Sequence, residues 1–122
     1  MTSCLEKYAA ETVAEVNPIS AAEAARFHGR AGIEFVDPRP AKAIAATTGI
    51  IPGARTISIA ELEAGNLPPA FEDRSIHVIA ACQAGPMGAR AAREFAKLGF
   101  ARVSYIEGGT EAWLSAGLPT VR

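Results

Sequence analysis

Apolar and polar residues fall in alternating blocks along this chain, and the spacing inside each block predicts its backbone form. Ile76-His77-Val78-Ile79-Ala80-Ala81 is the most uniformly apolar stretch, the pattern of a central parallel strand covered on both faces. Ile33-Glu34-Phe35-Val36-Asp37, Arg55 to Ile59 and Arg102 to Ile106 read as three further short strands. Between them lie segments of helical character: Ala21 to His28, an alanine-rich run from after Pro40 to Thr48, Ala60 to Ala64, Ala89 to Leu98, and Thr110 to Ala116 with Trp113 on its packed face. Strand and helix alternate from about Val16 onward, the signature of β-α-β units on a mostly parallel sheet, so the predicted class is α/β.

Punctuating residues set the boundaries. Ser20 stands three residues before Glu23, the capping-box arrangement that satisfies two orphan amides at a helix start. Asn17-Pro18 reads as the break that ends an earlier amphipathic helix, Ser3 to Glu15, in which Leu5, Tyr8, Ala9, Thr12, Val13 and Val16 recur at helical spacing. That helix is expected to pack on the domain, giving residues 1–16 as an extension and 17–122 as the domain itself. Gly49-Ile50-Ile51-Pro52-Gly53-Ala54 is a compact turn, and Gly65-Asn66-Leu67-Pro68-Pro69 is a loop too short to separate domains.

At 122 residues and 49% hydrophobic composition, the chain suits one domain with one core. A formal charge of -1 supplies no basic field for nucleic acid or anionic lipid, so neither is an expected partner. No apolar run approaches the roughly 20 residues that cross a bilayer, and a membrane role is not expected. The first residues carry charge throughout and lack the apolar core of a secretory leader, which makes the cytoplasm the expected home. Neither cysteine, Cys4 nor Cys82, has metal-ligand spacing with His28 or His77. No metal, organic cofactor or disulfide is predicted.

Cys82 ends the apolar strand, directly before the loop Gln83-Ala84-Gly85-Pro86-Met87-Gly88 and the helix that follows. Open α/β sheets place their ligands at this carboxyl edge. A helix N-terminus offers unpaired N–H groups and partial positive charge, and both favour thiolate over thiol. With Gly85 and Gly88 permitting a tight curl, the amides of Gln83, Ala84, Gly85, Met87 and Gly88 could form a nest for a thiolate, a persulfide or a donor oxyanion. Position alone leaves open a plain core thiol, since free cysteine is among the most buried residue types. Cys4, His28 and His77 read as incidental or structural, and Arg90 as a solvated side chain.

These residues resemble a rhodanese-like domain of the small single-domain bacterial type, from Ile19 to Thr120. Val36-Asp37-Pro38-Arg39 is similar to the family's strand-end Asp-x-Arg, Gly49 to Ala54 to its GHIPGA turn, and Cys82-Gln83-Ala84-Gly85 to its C-x-x-G active loop. Gly99-Phe100, Glu107-Gly108-Gly109, Ala112-Trp113 and Gly117-Leu118-Pro119 resemble its C-terminal signature. The resemblance implies a three-layer fold with a five-stranded parallel sheet between helices. It also implies a sulfurtransferase that carries sulfane sulfur as a Cys82 persulfide, from thiosulfate, a persulfide or a polysulfide to cyanide, a small thiol or a protein thiol. Asp37 and Arg39 would support the active loop, chiefly as an ion pair tying the strand end to nearby turns.

The chain departs from the family where many catalytic members continue C-x-x-G-x-R-S/T. Met87 and Gly88 replace the loop arginine and hydroxyl, Pro86 removes a possible amide donor, and Ile50 stands at the turn histidine. Persulfide or polysulfide donors are therefore expected to outperform thiosulfate. A catalytically weak module for sulfur sensing or protein binding is the alternative that these losses suggest. The C-x5-R pattern of phosphatase relatives is broken by Gly88.

Overall fold

The computed structural model describes residues 16–122. The predicted helix over Ser3 to Glu15, and Cys4 within it, lie outside the described residues.

Five strands form one parallel sheet: β1 (Val16–Ile19), β2 (Ile33–Asp37), β3 (Arg55–Thr56), β4 (His77–Ala80) and β5 (Arg102–Ile106), in the order β1-β5-β4-β2-β3. Among the described residues five α-helices cover it: α1 (Ala21–Phe27), α2 (Ala41–Ala46), α3 (Ile59–Ala64), α4 (Pro86–Lys97) and α5 (Gly109–Ser115). β4 is central, with Phe35 and Ser104 both in register with Ile79. Alternate residues of β4 and its extension face opposite ways, so Val78 and Ala80 meet one core while Ile79 and Ala81 meet the other. The first core holds Leu62, Phe71, Phe95 and Phe100, from α3, α4 and the segments beside them. The second sets Trp113 of α5 and Ala24 of α1 against Phe35 and Ile106. This three-layer arrangement explains why β4 is apolar without alternation: both of its faces are dry.

Several boundaries differ from the sequence expectations, each for a local reason. Val16 belongs to an edge strand, and the presumed breaker Asn17-Pro18 lies inside that strand, where Pro18 aligns with Tyr105. Proline is tolerated on an edge because the N–H it lacks is not needed by a second neighbour. β3 is only Arg55–Thr56, since Ser58 caps α3: its Oγ accepts from Glu61 N–H at 3.1 Å while Glu61 Oε1 accepts from Ser58 N–H at 2.8 Å. Helix α3 thus starts at Ile59 rather than Ala60. Helix α4 starts at Pro86 rather than Ala89, with proline at a first-turn site that requires no donor. Met87 and Gly88 are therefore helical, and the loop contracts to Gln83, Ala84 and Gly85. No helix among the described residues is long and apolar enough to cross a membrane.

Candidate active site

The ladder carries the chain to the site. Ala81 N–H donates to Val36 O at 2.9 Å, one step beyond β4, and Cys82 follows at the carboxyl edge between β2 and β5. Cys82 is 3% exposed. Its Sγ accepts a hydrogen bond from Gly85 N–H at 3.0 Å. Gly85 reaches that position with φ 135° and ψ −52°, backbone angles that L side chains rarely adopt. It is also the N-cap of α4, accepting from Ala89 N–H at 3.0 Å. The sulfur thus sits at the head of a 12-residue helix whose first-turn amides at Met87 and Gly88 have no partner within the helix.

Helix α5 holds the loop from its other side. Thr110 N–H donates to Cys82 O at 2.7 Å, Glu111 N–H donates to Gln83 O at 3.0 Å, and Gln83 Nε2 donates to Glu111 Oε2 at 3.0 Å. Because the peptide bonds of the described residues are all trans, a carbonyl facing α5 turns the next N–H away from it. The amides of Gln83 and Ala84 are therefore directed off α5. Gly109 makes the approach possible: a Cβ there would lie 2.6 Å from Cys82 O and 2.7 Å from Gln83 O. Thr110 is buried with its hydroxyl unpartnered.

Of the five loop residues singled out in the sequence, Gly85 brings its amide to the sulfur. Gly88 sits buried against the strand end, where a Cβ would stand 3.2 Å from Cys82 N. Met87 is 41% exposed and presents a thioether beside the loop. Gln83 is half-buried, and Ala84 is exposed.

Asp37 and Arg39 form a buried bidentate pair. Arg39 Nη2 and Nε donate to Asp37 Oδ2 at 2.7 Å and Oδ1 at 3.0 Å. The guanidinium also donates to Thr47 Oγ1 at 3.1 Å and Thr48 Oγ1 at 3.0 Å. At 2% and 6% exposure the pair links the end of β2 to the turn after α2, and its donors are spent there. Arg90 pairs with Glu63 at 3.2 Å on the surface. The histidines lie elsewhere: His28 Nε2 donates to Pro52 O at 2.7 Å, and His77 shares a 2.9 Å bond with Ser104 Oγ. Trp113 is fully buried and donates from Nε1 to Pro119 O at 2.7 Å.

Nothing in the local pattern of Glu107-Gly108-Gly109 beyond its family resemblance predicts the contacts that α5 makes on the loop. The signal available was the glycine pair between β5 and the next helix.

A parallel sheet with one cysteine at its carboxyl edge, capped by a glycine-led helix, narrows the families that fit. A model of the rhodanese-like domain matches residues 20–116. The chain belongs to the rhodanese-like domain family. Among solved structures, a protein of unknown function from Rhodopseudomonas palustris, named a possible tyrosine phosphatase, is 26% identical with a TM-score of 0.78, covering 99% of this chain and 96% of that one. A human single-domain sulfurtransferase is 25% identical with a TM-score of 0.68, covering 80% of this chain and 95% of that one. The polysulfide-sulfur transferase of Wolinella succinogenes shares the fold at 21% identity and a TM-score of 0.68, covering 96% of this chain and 86% of that one. No curated protein matches the chain. The phosphatase description does not carry over, because Gly88 stands where a rhodanese-fold phosphatase would place its phosphate-clamping arginine.

Proposed function

We propose that this rhodanese-like domain is a sulfurtransferase that carries one sulfane sulfur on Cys82. The supporting observation is the Gly85 N–H aimed at Cys82 Sγ from 3.0 Å at the head of α4, an arrangement that stabilises negative charge on sulfur. In the first half-reaction the Cys82 thiolate attacks the outer sulfur of the donor. A new S–S bond forms, the donor's S–S bond breaks, and the leaving group keeps the electron pair: a thiolate from a hydropersulfide, or sulfite from thiosulfate. In the second, an acceptor thiolate or cyanide attacks the outer sulfur of the Cys82 persulfide and the Cys82 thiolate departs. No external oxidant or reductant is consumed.

Persulfides and polysulfides are the better donors in this reading. Two arginines that could have served the loop are engaged elsewhere, Arg39 with Asp37 and Arg90 with Glu63. Met87 offers no charge where a dianion would need it. Small thiols or protein thiols of a reducing, cytoplasmic compartment would serve as acceptors. Mass spectrometry of the protein after incubation with thiosulfate, polysulfide and glutathione persulfide tests the proposal. A gain of one sulfur on Cys82, absent in Cys82→Ser, is the expected result; failure of all three donors to add sulfur removes it.

A further inference from the structure

We infer that Glu111 is a specificity-determining residue of the same site: its carboxylate, fixed on the active loop by Gln83, turns away doubly charged donors and leaves Cys82 to neutral or singly charged sulfane sulfur. This inference rests on the sulfur-transfer reading above.

Gln83 directly follows the nucleophile. Its side-chain amide donates to Glu111 Oε2 at 3.0 Å, and the Glu111 backbone amide donates to Gln83 O at 3.0 Å. Two bonds between the same two residues hold the carboxylate against the loop rather than leaving it to sweep through solvent. From Cys82 Sγ to this carboxylate the path is one peptide link, one side chain and one hydrogen bond, a span on the order of 10 Å. The described residues flanking the loop offer no free positive charge in its place. Glu107 is exposed at the end of β5, Met87 is uncharged, Arg90 is paired with Glu63 and Arg39 is buried against Asp37.

Coulomb repulsion doubles from a monoanion to a dianion and vanishes for a neutral donor. At this separation it is felt fully at low salt, where the screening length is about 30 Å, and is weakened near physiological strength, where it is about 8 Å. Thiosulfate therefore meets a built repulsion in addition to the missing arginine, which is selection against a wrong ligand rather than simple loss of affinity. A carboxylate in the first turn of α5 also suits the helix dipole, but that stabilising role would treat all donors alike.

Thiosulfate and methanethiosulfonate separate the two cases, because both deliver a sulfane sulfur from a sulfonyl carrier while bearing two charges and one. Attack by Cys82 releases sulfite from the first and methanesulfinate from the second, each keeping the pair of the broken S–S bond. With Glu111→Gln at about 10 mM salt, kcat/KM for thiosulfate should rise about three- to tenfold, and for methanethiosulfonate by about two- to threefold. The difference should close at about 0.5 M salt. Glu111→Lys should widen it, and Glu111→Asp should keep the wild-type preference. Equal gains for both donors, or a gain indifferent to salt, would overturn the role of Glu111 while leaving sulfur transfer intact. If no donor, glutathione persulfide included, loads Cys82 in the wild type or in either charge variant, the transfer reading fails and takes this one with it.

Discussion

Gly85 N–H lies 3.0 Å from Cys82 Sγ, and this contact requires the backbone of Gly85 to hold φ 135°. A Cβ at Gly85 would have room, its nearest neighbour being Gly108 N at 3.6 Å, so the obstacle to any other residue is conformational. In Gly85→Ala the strain of such a position costs on the order of 1–3 kcal/mol, which the loop relieves by turning the amide off the sulfur. The expected result is a fall in kcat/KM for every sulfur donor of about a hundredfold, the lower end of the scale for removing one preorganised donor. Steady-state kinetics together with thermal unfolding would check it. Unchanged kinetics in a destabilised protein would mean the amide serves only the fold.

Gly109 and Gly117 give a matched pair. Both have positive φ, 62° and 83°, yet a Cβ at Gly117 meets nothing within 4 Å while one at Gly109 meets Cys82 O at 2.6 Å. Replacing either with alanine costs the left-handed strain of about 1 kcal/mol. Only Gly109→Ala also pushes α5 off the active loop. We expect Gly117→Ala to load sulfur at the wild-type rate and Gly109→Ala to load it at least about tenfold more slowly, measured by the rate of persulfide formation on Cys82.

The Asp37–Arg39 pair should be worth most as a structural tie. Asp37→Ala leaves a buried guanidinium without its charge partner, and the expected loss is about 3–5 kcal/mol of unfolding free energy. Urea denaturation measures it. A loss under about 1 kcal/mol would show that Thr47, Thr48 and water satisfy Arg39 unaided.

His77 gives the protein an acid-sensitive component. Burial, and secondarily the charge of Arg102, hold its imidazole below the ordinary value of 6.5. The unfolded chain therefore binds a proton that the native state refuses, so the contribution is complete above pH 6.5 and is lost as pH falls from there toward the depressed native value. His77→Gln, which can still bond Ser104 Oγ, should flatten the decline in stability between about pH 7.5 and about pH 5.5. Denaturant titrations at the two pH values would test it, and parallel slopes in wild type and variant would assign the decline to other groups.

Where the outcome depended on neighbours in the chain, the sequence was readable. The Ser20 and Glu23 capping box, the unbroken apolar face pattern of β4, and the cysteine at its end are local facts, and each appears in place. Two errors had local signals as well. Ser58 and Glu61 repeat the capping box that marked α1, and Pro86 is well suited to a first helical turn. The edge strand β1 is different. Asn17-Pro18 disfavours helix and central strand equally, and only parallel pairing with β5, which sets Val16 beside Val103 and Asn17 beside Ser104, makes it a strand.

By itself, then, the sequence determined the α/β class, the family, and the place of Cys82 at the carboxyl edge of a central strand, because periodicity, caps and turn residues act over a few positions. Tertiary structure alone decided which amide reaches the sulfur, that α5 grips the Cys82 and Gln83 carbonyls, that Glu111 is fixed on the loop, and that Arg39 is spent inside the fold. Those are contacts between segments whose distance and direction depend on how helices settle on the sheet, and a hydrogen bond exists or fails within a few tenths of an ångström.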